Sequence, residues 1–423
     1  MSNDPKSKPK VATTTAGLRG TTWDADRLPA DTRISVHPLN TDDGSAVTGY
    51  LFRRGNEKTV VCAMHPRELT VTQYLIPEVL HGGCAVWVQG SRSPNNDIRL
   101  EHETAIIDLA AGQRFLRDQA GFEKTVLQGT SGGGPLATFY CQQASREGAD
   151  RIAKSPAGRP TGLDRATLPM PDGVILVSTH LGQGKLLMNC IDPAVVDERD
   201  PLQTDQSLSA FNRDNGFRPS PESASYSPEF LKRYRATQRE RVARIDAFAK
   251  EAVSRRMEAR ARLKDKRNQA DAILAAYSSI FQVWRTDADP RCFDLSLEPS
   301  DRAYGTLWGG NTIASNYGSI GFGRTCTRES WLSNWSALSS NASMENCAPD
   351  LKLPTLMIEY NGDNSVFPGE ADAIFGWIGS SDKTRQRIHG NHHGRPIADG
   401  APNGQLIAGA AIRDWLSGRK LVD

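Results

Sequence analysis

The chain has 423 residues, 24% of them charged, with a formal net charge of +2; that length holds one large domain with a sizeable insertion, or two domains. So balanced a charge points to no nucleic-acid and no membrane partner. No apolar run approaches the roughly 20 residues that span a bilayer and the first ten residues carry no apolar segment of a signal peptide, so a cytoplasmic protein is expected, with homo-oligomerisation left open.

Seven cysteines, an odd number with no close CxxC pair, argue against a complete disulfide framework. Residues 1–20 are polar, contain Pro and Lys, show no periodicity, and read as a disordered tail. Arg33–Pro38 and Ala46–Phe52 are β-like runs on either side of the turn cluster Asn40–Gly44, which predicts a hairpin. Thr59–Met64 is continuously apolar, as suits a strand buried on both faces, and stops at His65-Pro66-Arg67-Glu68. A helix-like stretch, Gln73–Leu80, ends at Gly82-Gly83, and Cys84–Val88 reads as the next buried strand. In the polar loop Gln89–Asp97, Arg92 reads as a brace rather than a substrate contact. Ile106, Ile107, Leu109, Ala110 and Phe115 recur at helical spacing after His102-Glu103, and Lys124–Gln128 completes a β-α-β alternation.

The stretch Val126–Ala137 contains Gly129-x-Ser131-x-Gly133 at the junction of that strand with a helix-like pattern. A nucleophilic serine needs its hydroxyl held clear of the backbone, and the sharp strand-to-helix turn that does this demands glycine on either side. Gly132 adds a main-chain N–H at a helix start, where unpaired donors and the helix dipole can hold an oxyanion. A plain tight turn or a phosphate loop is the competing reading. A Walker loop would need a lysine that is missing here, and a dinucleotide loop would sit near a first strand. At these residues the sequence resembles the α/β-hydrolase superfamily.

Ser145–Pro171 reads as a Pro- and Gly-rich surface excursion and Gly173–Ser178 as the next parallel strand. The interval 179–348 then reads as an inserted cap, dividing the hydrolase core into residues 21–178 and 349–423. Within it a charged helix starts near Glu229, with Val242, Ile245, Ala249, Val253 and Met257 at three- and four-residue steps. Its Arg- and Lys-rich end, Arg255–Arg267, reads as a solvated face with ion pairs rather than a nucleic-acid arm. A second helix, Ala270–Trp284, is expected to fold back on it. Asp287–Ala348 carries Trp308, Trp331 and Trp335, read as substrate-binding residues lining an apolar pocket, and the whole cap is expected to form a mainly helical lid over Ser131.

Leu353–Glu359 restores the buried sheet. The following Tyr360–Pro368 resembles the superfamily's acid loop, which points to Asp363, although the spacing to Pro368 would put Asn364 at the usual site and Glu359 sits on the strand itself. Arg385–Ile388 reads as an edge strand, followed by His389-Gly-Asn-His-His-Gly394, and Ile407–Leu416 as a final amphipathic helix. The superfamily's Gly-x-x-His pattern selects His393. Three clustered histidines also suggest a metal, but no Cys or acidic residue completes a familiar zinc set, so no metal is expected.

The resemblance implies an α/β fold: a mostly parallel sheet flanked by helices, with an inserted mainly helical cap. It implies a Ser131, Asp363, His393 triad, each member just beyond a strand and in the superfamily's order. Because Pro66 has no N–H, the oxyanion hole would combine the N–H groups of Gly132 and Arg67. The expected activity is hydrolysis of a small-molecule carboxylic ester through an acyl-enzyme, without a cofactor. Carbon–carbon, thioester or lactone hydrolysis in a catabolic pathway is the alternative, and a non-catalytic binding protein on the same fold is the reading from another class.

Overall fold

The computed structural model describes residues 25–422 other than Ile320; the tail expected over residues 1–20 lies outside the described residues. The opening hairpin forms from β1 (Arg33–Asn40) and β2 (Ala46–Arg53), in register from Arg33 opposite Arg53 to Asn40 opposite Ala46. Its turn is closed by Thr41, whose Oγ1 accepts from the Ser45 N–H at 2.9 Å. Continuously apolar sequence then gives β3 (Thr59–Met64), β4 (Ala85–Gln89), β6 (Gly173–Val177) and β9 (Thr355–Tyr360), every residue of which is buried. Alternation is absent because both faces of these strands are covered. With β5 (Lys124–Thr130) and β10 (Lys383–Ile388) they complete an eight-stranded sheet in the order β1-β2-β4-β3-β5-β6-β9-β10. Pairing is antiparallel on both sides of β2 and parallel from β4 onwards. This mostly parallel sheet, flanked by helices and with its second strand reversed, is the α/β-hydrolase fold.

One face of the sheet is covered by α1 (Ile76–His81) and α11 (Gly404–Gly418), which bury Val79, Leu80, Ile412, Trp415 and Leu416. The other is covered by α2 (His102–Asp118), α3 (Gly133–Ala144) and α10 (Pro368–Trp377). The first of these helices begins three residues later than the sequence suggests. Gln73 folds its Oε1 onto the Leu75 N–H (2.8 Å) ahead of the helix, and Pro77 sits in its first turn, where a missing donor costs nothing. Arg92 braces the hairpin to α2, donating to Asp43 and Asp108.

Between β6 and β9 the chain builds the insertion. It contains α4 (Gln183–Cys190), the 38-residue α5 (Pro228–Asp265), α6 (Gln269–Ala276), and the short helices α7 (Thr312–Tyr317), α8 (Arg328–Ser330) and α9 (Met344–Cys347). Long loops join them. The side chain of Ser227 caps α5 by accepting from the Phe230 N–H, and Pro228 opens it. Its apolar stripe runs from Phe230 to Val253; Met257, expected to extend it, is exposed. Beyond that point Arg256 pairs with Glu329, and Arg262 with Asp271 of α6 (2.7 Å). The expected return helix to Trp284 stops at Ala276, because Ile280–Gln282 (β7) instead pairs antiparallel with Thr325–Thr327 (β8). Among the described residues no helix is long and apolar enough to cross a membrane.

The insertion is stitched into the core at the start of α2. Ser333 accepts from the His102 N–H (2.9 Å) and donates to Glu103 (2.6 Å), so it occupies a helix-start donor that no side chain of α2 caps. Asn341 reaches the other Glu103 oxygen at 2.9 Å. Inside the insertion the buried carboxylate of Asp246 on α5 accepts from Trp331 Nε1 (2.7 Å), Ser336 Oγ (2.8 Å) and Ser339 Oγ (2.6 Å). Replacing Asp246 by Ala strands buried donors, and the expected loss is about 2 to 3 kcal/mol. Urea unfolding followed by tryptophan fluorescence measures it, with Lys250→Ala, which removes only a solvent-exposed partner, as the near-neutral control.

Candidate active site

Ser131 sits between the end of β5 and the start of α3 with φ at +54°, a left-handed conformation unfavourable for a side chain bearing Cβ. The turn is held in place by the Ser131 N–H, which donates to the Val177 carbonyl of the neighbouring strand at 2.9 Å. Its tightness excludes a side chain at Gly129, where a Cβ would come within 2.5 Å of the Gly133 carbonyl. The cost of such a backbone, on the order of 1 kcal/mol or more, is offset by the packed sheet around it. What it achieves is a hydroxyl raised into a cavity of about 600 Å³ at the carboxyl end of the parallel strands, the place where open α/β sheets bind ligands.

Asp363 lies just beyond β9. One carboxylate oxygen accepts from the Ser365 and Val366 N–H groups (2.7 and 3.1 Å), and the other meets His392 Nδ1 at 2.7 Å. Both side chains are about 2% exposed. A carboxylate only accepts, so His392 Nδ1 carries a proton, and in the neutral imidazole Nε2 presents the lone pair. That Nε2 is buried with no hydrogen-bond partner among the described residues, on a ring that lines the same cavity as Ser131. The loop is fastened from below by Ser178, whose Oγ donates to the His392 carbonyl at 2.9 Å.

The structure thus corrects the histidine expected from the Gly-x-x-His spacing. His393 does not touch Asp363. Neither ring nitrogen has a hydrogen-bond partner among the described residues, and the ring packs beside Tyr74 and edge-on to His392. The physical reason is a tight turn: Asn391 Oδ1 accepts from the N–H groups of His393 and Arg395 (2.9 and 3.1 Å), and Gly394 takes a left-handed φ of +70°. Within that turn adjacent side chains diverge, and residue 392 is the one directed at the acid.

The expected second oxyanion donor is corrected as well. The Arg67 N–H points at His65 Nδ1 (3.3 Å), while its guanidinium pairs with Asp97 (3.0 Å), donates to the Gly321 carbonyl (2.8 Å) and lies over the Trp335 ring. Gly132 caps the start of α3, where first-turn N–H groups have no intrahelical acceptor. Of the three tryptophans, Trp308 lines the cavity with Leu307 and Phe322. Trp331 and Trp335 are fully buried inside the insertion and do not line it; the sequence shows aromatic content but not which ring reaches the hole.

Sequence reasoning missed His65 and His180, both of which line the cavity. Position alone could have pointed to His65, the first residue after a buried parallel strand. Burial holds the imidazoles of His65, His180 and His393 below the ordinary range of histidine. Among the described residues no group of three His, Cys, Asp or Glu side chains is placed to hold a metal ion.

No family model matches the chain, and no curated protein matches it. Among solved structures it is similar to DcsB in complex with its substrate analogue, at 13% identity over 91% of this chain and 99% of that one, with a TM-score of 0.45. It is also similar to an esterase of Pyrococcus furiosus (10% identity, 96% and 97% covered, TM-score 0.42) and to the esterase domain of a Rhodothermus marinus protein (12%, 91% and 98%, 0.41). Likeness at this level is loose, and the fold rests on the strand order and register above.

Two outcomes follow from this geometry. His392→Ala should cost activity as heavily as loss of the serine, whereas His393→Ala should cost roughly tenfold or less, as read by steady-state kinetics on folded protein. The second concerns His102, fully buried beside the site and pushed from 6.5 down to about 4 by that burial. The unfolded chain takes up its proton as pH falls through 6.5 while the native protein resists until about 4. Native stability is therefore intact above 6.5 and declines below it, by on the order of 3 kcal/mol for this group. Urea midpoints between pH 7.5 and 4.5 should fall accordingly, and His102→Gln should flatten the decline.

Proposed function

We propose that the protein is a serine hydrolase that cleaves a small-molecule carboxylic ester. The observation that carries this reading is the 2.7 Å contact of His392 Nδ1 with Asp363 beside a nucleophile turn at Ser131. On this reading His392 Nε2 takes the Ser131 proton as Oγ attacks the carbonyl carbon, and Asp363 stabilises the imidazolium that forms. The carbonyl π pair moves onto oxygen, and the Gly132 N–H holds the resulting charge. Collapse expels the alcohol, which takes its proton from His392. Water, deprotonated by the same nitrogen, then releases the acid.

The insertion serves as the lid in this reading. Leu186, Leu307, Trp308 and Phe322 supply an apolar wall facing the serine, which suits an ester with a hydrophobic acyl or alcohol part. All seven cysteines are free and buried, in keeping with a cytoplasmic location.

Ser131→Ala should leave the fold intact, lower turnover by roughly 10⁴- to 10⁶-fold and abolish labelling by a fluorophosphonate probe. Near-normal turnover in the folded variant removes the serine mechanism. A panel of alkyl and aryl esters, thioesters, lactones and β-diketones identifies the bond cleaved, with the esters expected to give the highest kcat/KM.

A further inference from the structure

A tetrahedral oxyanion needs more than one donor, and the main-chain N–H groups of Arg67 and Glu68, in the turn after β3, are already engaged. Pro66 has none. Those of Arg67 and Glu68 both fold back onto His65 Nδ1, at 3.3 and 3.1 Å. The turn that aims them is pinned by Ser91 Oγ donating to the Pro66 carbonyl (3.0 Å) and the Asn95 N–H donating to the Arg67 carbonyl (2.7 Å).

That arrangement settles the tautomer of the ring. A nitrogen that accepts two N–H groups carries no proton, so in the neutral imidazole the hydrogen is on Nε2. Nε2 enters no hydrogen bond among the described residues. It lies 2.8 Å from the point where a Cβ on Gly132 would stand, with Gln183 Oε1 at 2.9 Å from the same point, and the ring lines the cavity together with Ser131 and His392. Only a glycine at 132, the residue that caps α3, lets the imidazole come so near its main chain.

We propose that the His65 side chain is the second oxyanion donor, its Nε2–H and the Gly132 N–H together holding the negative oxygen, in place of the main-chain donor of residue 67. The inference rests on the serine-hydrolase reading of the site. No proton leaves His65: the Ser131 Oγ–C bond forms, the carbonyl π pair moves to oxygen, the Ser131 proton goes to His392 Nε2, and the oxyanion is stabilised by hydrogen bonds alone. A neutral imidazole suits this task because its proton stays put while still polarising the carbonyl. Burial of the ring is the main influence that holds His65 in the neutral form; Glu68 pulls the other way, and the nearby Arg67 and His392 act in the same direction as burial.

The test compares His65→Ala, His65→Gln and Ser131→Ala in steady-state kinetics on one ester, with affinity for a boronic acid that forms a tetrahedral adduct on the serine. His65→Ala should lower kcat by roughly 10²- to 10³-fold with KM within a few-fold, and boronate affinity should fall in parallel. His65→Gln, whose amide N–H can stand where Nε2–H stood, should recover at least roughly tenfold of kcat. Equal activity of the Ala and Gln variants, or a kcat within about threefold of the unaltered protein, overturns the proposal while leaving the triad intact. Turnover that survives Ser131→Ala overturns the triad, and this proposal with it. Should the variants fail to fold, ¹⁵N-histidine spectra of the unaltered protein decide. An Nε2–H tautomer whose proton moves downfield in the boronate adduct supports the role, and an Nδ1–H tautomer or an unmoved proton ends it.

Discussion

The carboxyl edge of the sheet is arranged around one constraint, the left-handed backbone of Ser131 between β5 and α3. A residue with a side chain adopts that conformation only when its surroundings leave no alternative. Here the surroundings are a strand hydrogen-bonded on both sides, the Val177 carbonyl holding the serine N–H, and a helix whose first residues press against Gly129. The loops after β3, β6 and β10 line the cavity that holds this hydroxyl, and the loop after β9 reaches it through the contact of Asp363 with His392.

Each loop is then fixed by a polar contact of its own in addition to apolar packing. Asp363 is held by two N–H groups and aims its other oxygen at His392. Ser178 ties the β6 loop to the His392 carbonyl, and the β3 loop is closed on the ring of His65. Asp363, His392 and Ser178 are almost fully buried, where hydrogen bonds are stronger and misplacement costs more. The sheet sets distances and the loops set directions.

That division explains what was legible in the sequence. Buried strands leave continuous apolar runs, so β3, β4, β6 and β9 could be read within two residues, and the glycines around Ser131 report a local backbone requirement. Directions leave no such trace. Residues 392 and 393 are both histidine, and only the turn built by Asn391 and Gly394 decides which ring faces the acid. Arg67 stood at the superfamily's donor position, yet Pro66 and His65 redirect its N–H. Trp331 and Trp335 are indistinguishable from Trp308 by composition, and their burial follows from long-range packing against α5 and Phe322. The helix after Gln269 stopped short because a strand partner lay some forty residues away, at Thr325–Thr327.

The way the insertion meets α2 bears on what kind of object it is. A hinged flap would leave the core complete beneath it, but here Ser333 and Asn341 supply the polar partners of His102 and Glu103, and Ser330 bonds to the Asp97 carbonyl. Arg67 extends the seam by joining Asp97 of the core to the Gly321 carbonyl of the insertion. Cut away, the insertion would expose an uncapped helix and leave Glu103, a carboxylate with almost no contact with solvent, without its donors. The two parts are therefore joined by buried polar contacts, and without the insertion the start of α2 loses the partners that Ser333 and Asn341 supply.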